Sequence, residues 1–172
     1  GTAALALVAP LVADRDYRLE CAFTHDADDE GVIFALGDPI AGMALFARAG
    51  RVAFVYHGGQ GKPVVCDGLP VHRGDNRFVL EHRAGGKRRG EGRLFVNGEA
   101  AGTLDMSPTT ILGLGVGEGL DIGCDRRLHV TPLYGRDDAF AYTGIVSHVR
   151  IDPGAQAHDS YANRPERLAQ RD

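Results

Sequence analysis

Lys87, Arg88, Arg89 and Arg93 gather cations on one short stretch, and Arg126 with Arg127 adds a pair; such side chains can grip a sulfate or phosphate. Both groups lie among glycines and acidic residues, so they read first as solvated loops. His25, His57, His72, His82, His129, His148 and His158 are scattered, with no pair at metal-ligand spacing. Cys21, Cys66 and Cys124 are odd in number and far apart, without a C-x-x-C pair, which argues against a disulfide framework or a zinc knuckle. Cys21 falls on the apolar face of a strand pattern, where a thiol acts as a small hydrophobe. No G-x-S-x-G elbow, H-E-x-x-H helix or Walker loop occurs. Gly113, Gly115, Gly117 and Gly119 form a glycine ladder that no Lys-Ser or Lys-Thr completes, so it suits a tight strand crossing better than a phosphate cradle.

The elements that must carry these side chains are strands. From Asp16 onward Tyr17, Leu19, Cys21 and Phe23 alternate with Arg18, Glu20 and Ala22, the period of a half-buried strand. Residues 42–48 and 51–57 read as a hairpin around Ala49-Gly50; in its second arm Val52, Phe54 and Tyr56 face one way and Ala53, Val55 and His57 the other. Residues 75–83 form a further strand, followed by a flexible charged loop from Gly85 and a hairpin closed by Asn97-Gly98, which suits a type I′ turn. A long loop spans 124–139, and a last strand covers 140–151, with Ile145, Val149 and Ile151 on its apolar face and Ser147 as an exception. About ten short strands and no amphipathic helix before Pro153 predict an all-β sandwich of two antiparallel sheets. Residues 1–13 read as a linker or edge strand, 14–152 as the domain, and 153–172 as a polar tail or short surface helix. The apolar start lacks the basic region of a signal peptide and is too short to span a bilayer.

A chain of 172 residues that is 44% hydrophobic supports one sizeable core, and its 24 glycines fit an excess of turns. The net charge of -4 gives no general attraction to nucleic acid or to an anionic membrane, so neither is expected as a partner.

Four segments resemble the C-terminal region of long bacterial arylsulfatases. They are Gly31-Val32-Ile33-Phe34-Ala35-Leu36-Gly37 with the hairpin that follows it, Arg93-Leu94-Phe95-Val96-Asn97-Gly98-Glu99, Glu118-Gly119-Leu120-Asp121-Ile122-Gly123-Cys124-Asp125, and Phe140-Ala141-Tyr142-Thr143-Gly144-Ile145. The resemblance implies a concanavalin A-like, laminin G-like jelly roll, serving as a non-catalytic accessory domain with a sulfatase catalytic domain of the same polypeptide as its partner. Cys124, Arg126-Arg127 and the absence of Trp depart from that pattern.

Ser160-Tyr161-Ala162-Asn163-Arg164 matches by letter the short pattern in which sulfatases form their formylglycine, but it stands in the polar tail with no α/β domain after it, and reads as a chance match. The Glu-x-Asp-x-x-Glu strand of jelly-roll glucanases is missing, which places glycoside hydrolysis last. No cofactor is required; if a metal binds, calcium suits hard oxygen ligands, with Asp121, Asp125, Asp137 and Asp138 as candidates. The alternative function is a carbohydrate-binding module, its glycan held on a sheet face and loops around Tyr56, His57, Arg126, His129 and Tyr134. The low aromatic content, 7% with no Trp, limits sugar stacking.

Overall fold

The computed structural model describes residues 12–109, 119–135 and 139–159. Among the described residues ten strands follow one another: β1 Arg15–His25, β2 Gly31–Gly37, β3 Gly42–Arg48, β4 Arg51–His57, β5 Val64–Asp67, β6 Gly74–Gly86, β7 Arg89–Val96, β8 Glu99–Asp105, β9 Leu120–Ile122 and β10 Val146–Gln156. They form two five-stranded antiparallel sheets. The front sheet has the order β10-β1-β6-β7-β8, and the back sheet the order β5-β4-β3-β2-β9. The segment between β9 and β10 carries a 3-10 turn, Pro132–Tyr134, and among the described residues no helix is long and apolar enough to cross a membrane.

The alternation seen in sequence sets which side chains meet between the sheets. Leu19, Cys21, Phe78, Leu80 and Leu94 point inward from the front sheet against Phe34, Met43, Leu45 and Phe54 of the back sheet. Phe78 lies between Phe34 and Phe54, with ring centroids 6.2 Å and 5.4 Å away. Burying rings of this size contributes on the order of 2 kcal/mol each relative to exposure. Burial also pushes the Cys21 thiol up to about 12, so it remains a neutral packing group.

Of several register shifts, two decide which side chains enter the core. In β2, Val32 pairs with Phe46 and Phe34 with Leu45, so Ile33 and Phe34 both enter the core. In β10, Ala22 faces His148 and Phe23 faces Val146, which leaves Ser147 as the extra residue. That bulge is why Ser147 breaks the apolar pattern, and it brings Val146 rather than the exposed Ile145 onto the core with Val149 and Ile151.

Three boundaries differ from those expected. The charged segment after Gly85 is not a flexible loop: β6 and β7 run directly into a hairpin whose turn residues Lys87 and Arg88 have φ of 52° and 59°. Asp159 Oδ2 accepts from the Lys87 amide at 2.6 Å, and the Thr109 amide donates to Arg88 O at 2.8 Å. The last strand starts at Val146 rather than at residue 140, and it continues past Asp152 to Gln156, placing Pro153 opposite Tyr17. Pro has no N–H to give, and β10 is an edge strand, where that loss is tolerated. Residues 1–11, most of the glycine ladder and the stretch from Ser160 onward lie outside the described residues.

Residues 140–142 are pinned across the start of β2. Val32 N donates to Phe140 O at 2.8 Å, and Val32 pairs in parallel with Ala141. Gly31, with φ of +114°, allows this approach, because a Cβ there would stand 2.2 Å from Ala141 O. Gly31→Ala is therefore expected to lower unfolding free energy by at least about 2 kcal/mol in urea melts, whereas Gly98→Ala, whose Cβ meets nothing within 4 Å, carries only the turn strain and is expected to cost about 1 kcal/mol.

Candidate binding face

Each sheet has one face toward the core, and the two outer faces differ in kind. On the back sheet the outer positions are Val32, Ala35, Ala44, Phe46, Ala53 and Val55, an apolar surface. It is covered by the segment between β9 and β10, which lays Val130, Tyr134 and Phe140 onto it. Tyr134 packs edge-on to Phe46 at 5.0 Å and stacks on Phe140 at 6.0 Å. Its hydroxyl donates to Asp125 Oδ2, which also accepts from the Val130 amide at 2.8 Å. Burial, and then the Asp125 carboxylate, hold the Tyr134 phenol well above its usual range, so it stays protonated. Arg48 donates to Leu133 O, and His57 Nε2 lies 3.3 Å from Val130 O, fastening the cover to β3 and β4.

The residues expected from sequence to bind a ligand are distributed accordingly. Tyr56 faces the sandwich interior and donates to Pro108 O at 3.0 Å, with burial pushing its phenol up, while His57 is on the opposite face beneath the cover. Tyr134 and His129 are neighbours, their rings 5.8 Å apart, and the His129 Nδ1–H donates to Gly135 O at 2.9 Å. Arg126 opens the cover segment and donates through Nε to Cys124 Sγ at 3.2 Å. The structure thus brings His57, His129 and Tyr134 to one segment, mostly as fasteners, and separates Tyr56 from them. What the segment leaves outside is a shallow hollow of about 330 Å³ bordered by Pro39, Leu128, His129 and Pro132.

Of the calcium candidates, Asp121 Oδ2 accepts from the Arg126 amide at 2.9 Å, and Asp125 is buried and engaged by Tyr134 and Val130. Asp137 and Asp138 lie outside the described residues. Among the described residues no three His, Cys, Asp or Glu side chains are grouped to hold a metal ion.

Among the described residues, no segment covers the outer face of the front sheet. Arg18, Glu20 and Ala22 of β1 lie beside Arg77, Val79 and Glu81 of β6, and these beside Arg93 and Phe95 of β7. Glu20 is the hub: it accepts from Arg77 at 2.5 Å and Arg18 at 2.8 Å, and from His148 of β10 at 3.3 Å. The Arg77 and Arg18 hydrogen bonds lower its carboxyl to about 2. Phe95 is half-buried between two hollows. One, of about 570 Å³, is lined by Glu91, Arg93, Thr103 and Asp105; the other, of about 140 Å³, by Arg18, Arg77, Val79 and Glu81. A third hollow of about 370 Å³ continues from Arg77 to Ser147 and His148.

No protein-family model and no curated protein sequence matches the chain. Among solved structures it is similar to the CBM40 of the Ruminococcus gnavus IT-sialidase bound to alpha2,3 sialyllactose, with a TM-score of 0.56 and 15% identity over 85% of this chain and 81% of that one. It is also similar to domains LG4-5 of the mouse laminin alpha1 chain, with a TM-score of 0.56 and 14% identity over 84% and 40% of the two chains. The chain has a concanavalin A-like jelly-roll fold. A third jelly-roll neighbour is the botulinum neurotoxin serotype D binding domain, with a TM-score of 0.55 and 10% identity over 92% and 38%. At such identities the likeness concerns the jelly roll alone, and a site on it has to be argued from its own residues.

Of the front-face residues the sequence drew attention to Arg93 alone, within its basic cluster, although a signal for the face was present: Phe95 is a large aromatic residue on the outward phase of β7, where Leu94 and Val96 point inward. The jelly roll also makes Glu20 an acid-sensitive fastening. Its folded pKa lies below the ordinary 4.5, so its contribution to stability is complete above pH 4.5 and is lost as pH falls toward 2. Denaturant melts across that window should show wild type losing stability faster than Glu20→Gln, which starts about 1 kcal/mol less stable at neutral pH.

Proposed function

We propose that this domain is a non-catalytic, lectin-like module that binds glycan on the outer face of its front sheet. The observation that carries the reading is the contrast between the two outer faces: the back one is sealed by Val130, Tyr134 and Phe140, while the front one is open, troughed and lined with arginines, carboxylates and one aromatic ring. A half-buried ring flanked by fixed charged groups is what a sugar requires, an apolar plane for its C–H face and donors and acceptors for its hydroxyls. The solved neighbours support a binding role, since one is described with bound sialyllactose and another as a binding domain. The reading calls for no cofactor.

A second reading, an accessory domain of a sulfatase polypeptide, is favoured by the order of the four motif segments. Those segments build the fold: residues 31–37 are buried sheet, the Gly123 amide donates to Ile33 O at 2.9 Å, and the Tyr142 amide to Gly123 O at 2.9 Å. The two readings are compatible, because a lectin-like face leaves the rest of the surface free to meet a catalytic domain.

Glycan-array screening followed by titration calorimetry tests the first reading. Wild type is expected to give saturable binding to at least one glycan class, and Phe95→Ala to weaken it about tenfold, the equivalent of about 1.4 kcal/mol, with little change in thermal midpoint. A flat array, or binding untouched by Phe95→Ala and lost instead in His129→Ala, would refute it.

A further inference from the structure

The strand register arranges the front face in rows that run across the sheet. Asp152 of β10 faces Arg18 of β1, Arg18 faces Glu81 of β6, Glu81 faces Arg93 of β7, and Arg93 faces Thr103 of β8. The row therefore alternates in charge from one edge of the sheet almost to the other. The next row, two residues along β10, β1, β6 and β7 and three along β8, where Ala101 is bulged, reads Arg150, Glu20, Val79, Phe95 and Ala100, and ends in an apolar strip. At about 4.8 Å between neighbouring strands each row is about 19 Å long, enough for several sugar rings.

Resting on the glycan-binding reading above, we infer that the ligand is a neutral, linear oligosaccharide lying across the strands, with its rings over the Val79, Phe95 and Ala100 strip and its hydroxyls along the alternating row. A guanidinium only donates and a carboxylate only accepts, whereas a hydroxyl does both. An alternating row therefore matches successive hydroxyls and mismatches a run of like charges. The charge count agrees. Arg18, Arg77, Arg93 and Arg150 are each within ion-pair distance of a carboxylate: Glu20 for the first two, Glu91 for the third and Asp152 for the fourth. A polyanion would have to displace these partners and would also meet Glu81, whose carboxylate has no ion-pair or hydrogen-bond partner among the described residues. A neutral chain uses the spare N–H groups of the arginines and the free Glu81 oxygens without breaking a pair.

The test is calorimetric titration of the intact chain with neutral gluco-, manno- and xylo-oligosaccharides of increasing length, with uronic-acid oligosaccharides of the same lengths, and with sialyllactose. One neutral series should gain at least tenfold in affinity from the disaccharide to the longest members, with little change between low and moderate salt. Glu81→Gln should weaken that binding several-fold, because a charged acceptor is lost. Preference for the acidic series, with salt-sensitive affinity that rises in Glu81→Gln, would overturn this inference and leave the glycan-binding reading standing. Affinity that is flat with length would overturn the across-strand placement. Binding of no glycan at all, or a concentration-dependent dimer that Phe95→Ala dissociates, would overturn both readings, the dimer by assigning the face to a second copy of the chain.

Discussion

Both faces of the back sheet are apolar, and an apolar face of that breadth cannot be left in water when each Å² buried is worth about 25 cal/mol. One face is satisfied by the front sheet, through Phe34, Phe54 and the rings and leucines opposite. The other has no partner sheet, so the chain has to supply a cover from the irregular segment between β9 and β10. That segment carries its own backbone polar groups onto an apolar surface, and the Asp125 carboxylate, the Tyr134 hydroxyl and the His57 ring exist there to meet or fix them. Gly31 belongs to the same solution, since it lets residues 140–142 close down on β2 without a steric clash.

The front sheet faces the opposite situation. Its outer positions are charged on every strand, they need no cover, and Glu20 draws Arg18, Arg77 and His148 into one network over the centre of the sheet. Because the Arg18, Arg77 and His148 partners are exposed, this network adds only about 1 kcal/mol to stability. Its effect is positional: long arginine side chains that would otherwise sample many rotamers are held in place around Phe95. Among the described residues the sandwich thus has one covered outer face and one uncovered one, where an apolar ring and ordered charges lie side by side, and the alternation of those charges along the register is what suggests the kind of ligand proposed.

Most of the fold was legible in sequence because it rests on period two. Tyr17, Leu19, Cys21 and Phe23 were assigned inward and are inward, and Asn97-Gly98 closes its hairpin with φ of 53° and 85°. The Lys87-Arg88 turn was not legible, since neither residue favours positive φ and the neighbouring glycines suggest slack rather than a tight hairpin. The cover was missed for a related reason: irregular segments have no period, and the clue lay elsewhere, in Ala53 and Val55 being as apolar as Val52 and Phe54 on the other face. Tyr134 and His129 looked like ligand groups in a loop, and in the structure Tyr134 is a buried fastener. The front-face row was out of reach because it depends on how five strands align, and register is a tertiary property even when each strand's two faces are plain.

Amide chemical-shift mapping during titration with the best array glycan addresses the central claim most directly, because it reports which face the ligand touches without altering a residue. The account predicts that the largest shifts cluster on β1, β6 and β7, at Arg18, Arg77, Glu81 and Phe95, while the cover stays still. Shifts concentrated on Arg126, His129 and Tyr134, with β6 and β7 unmoved, would contradict it.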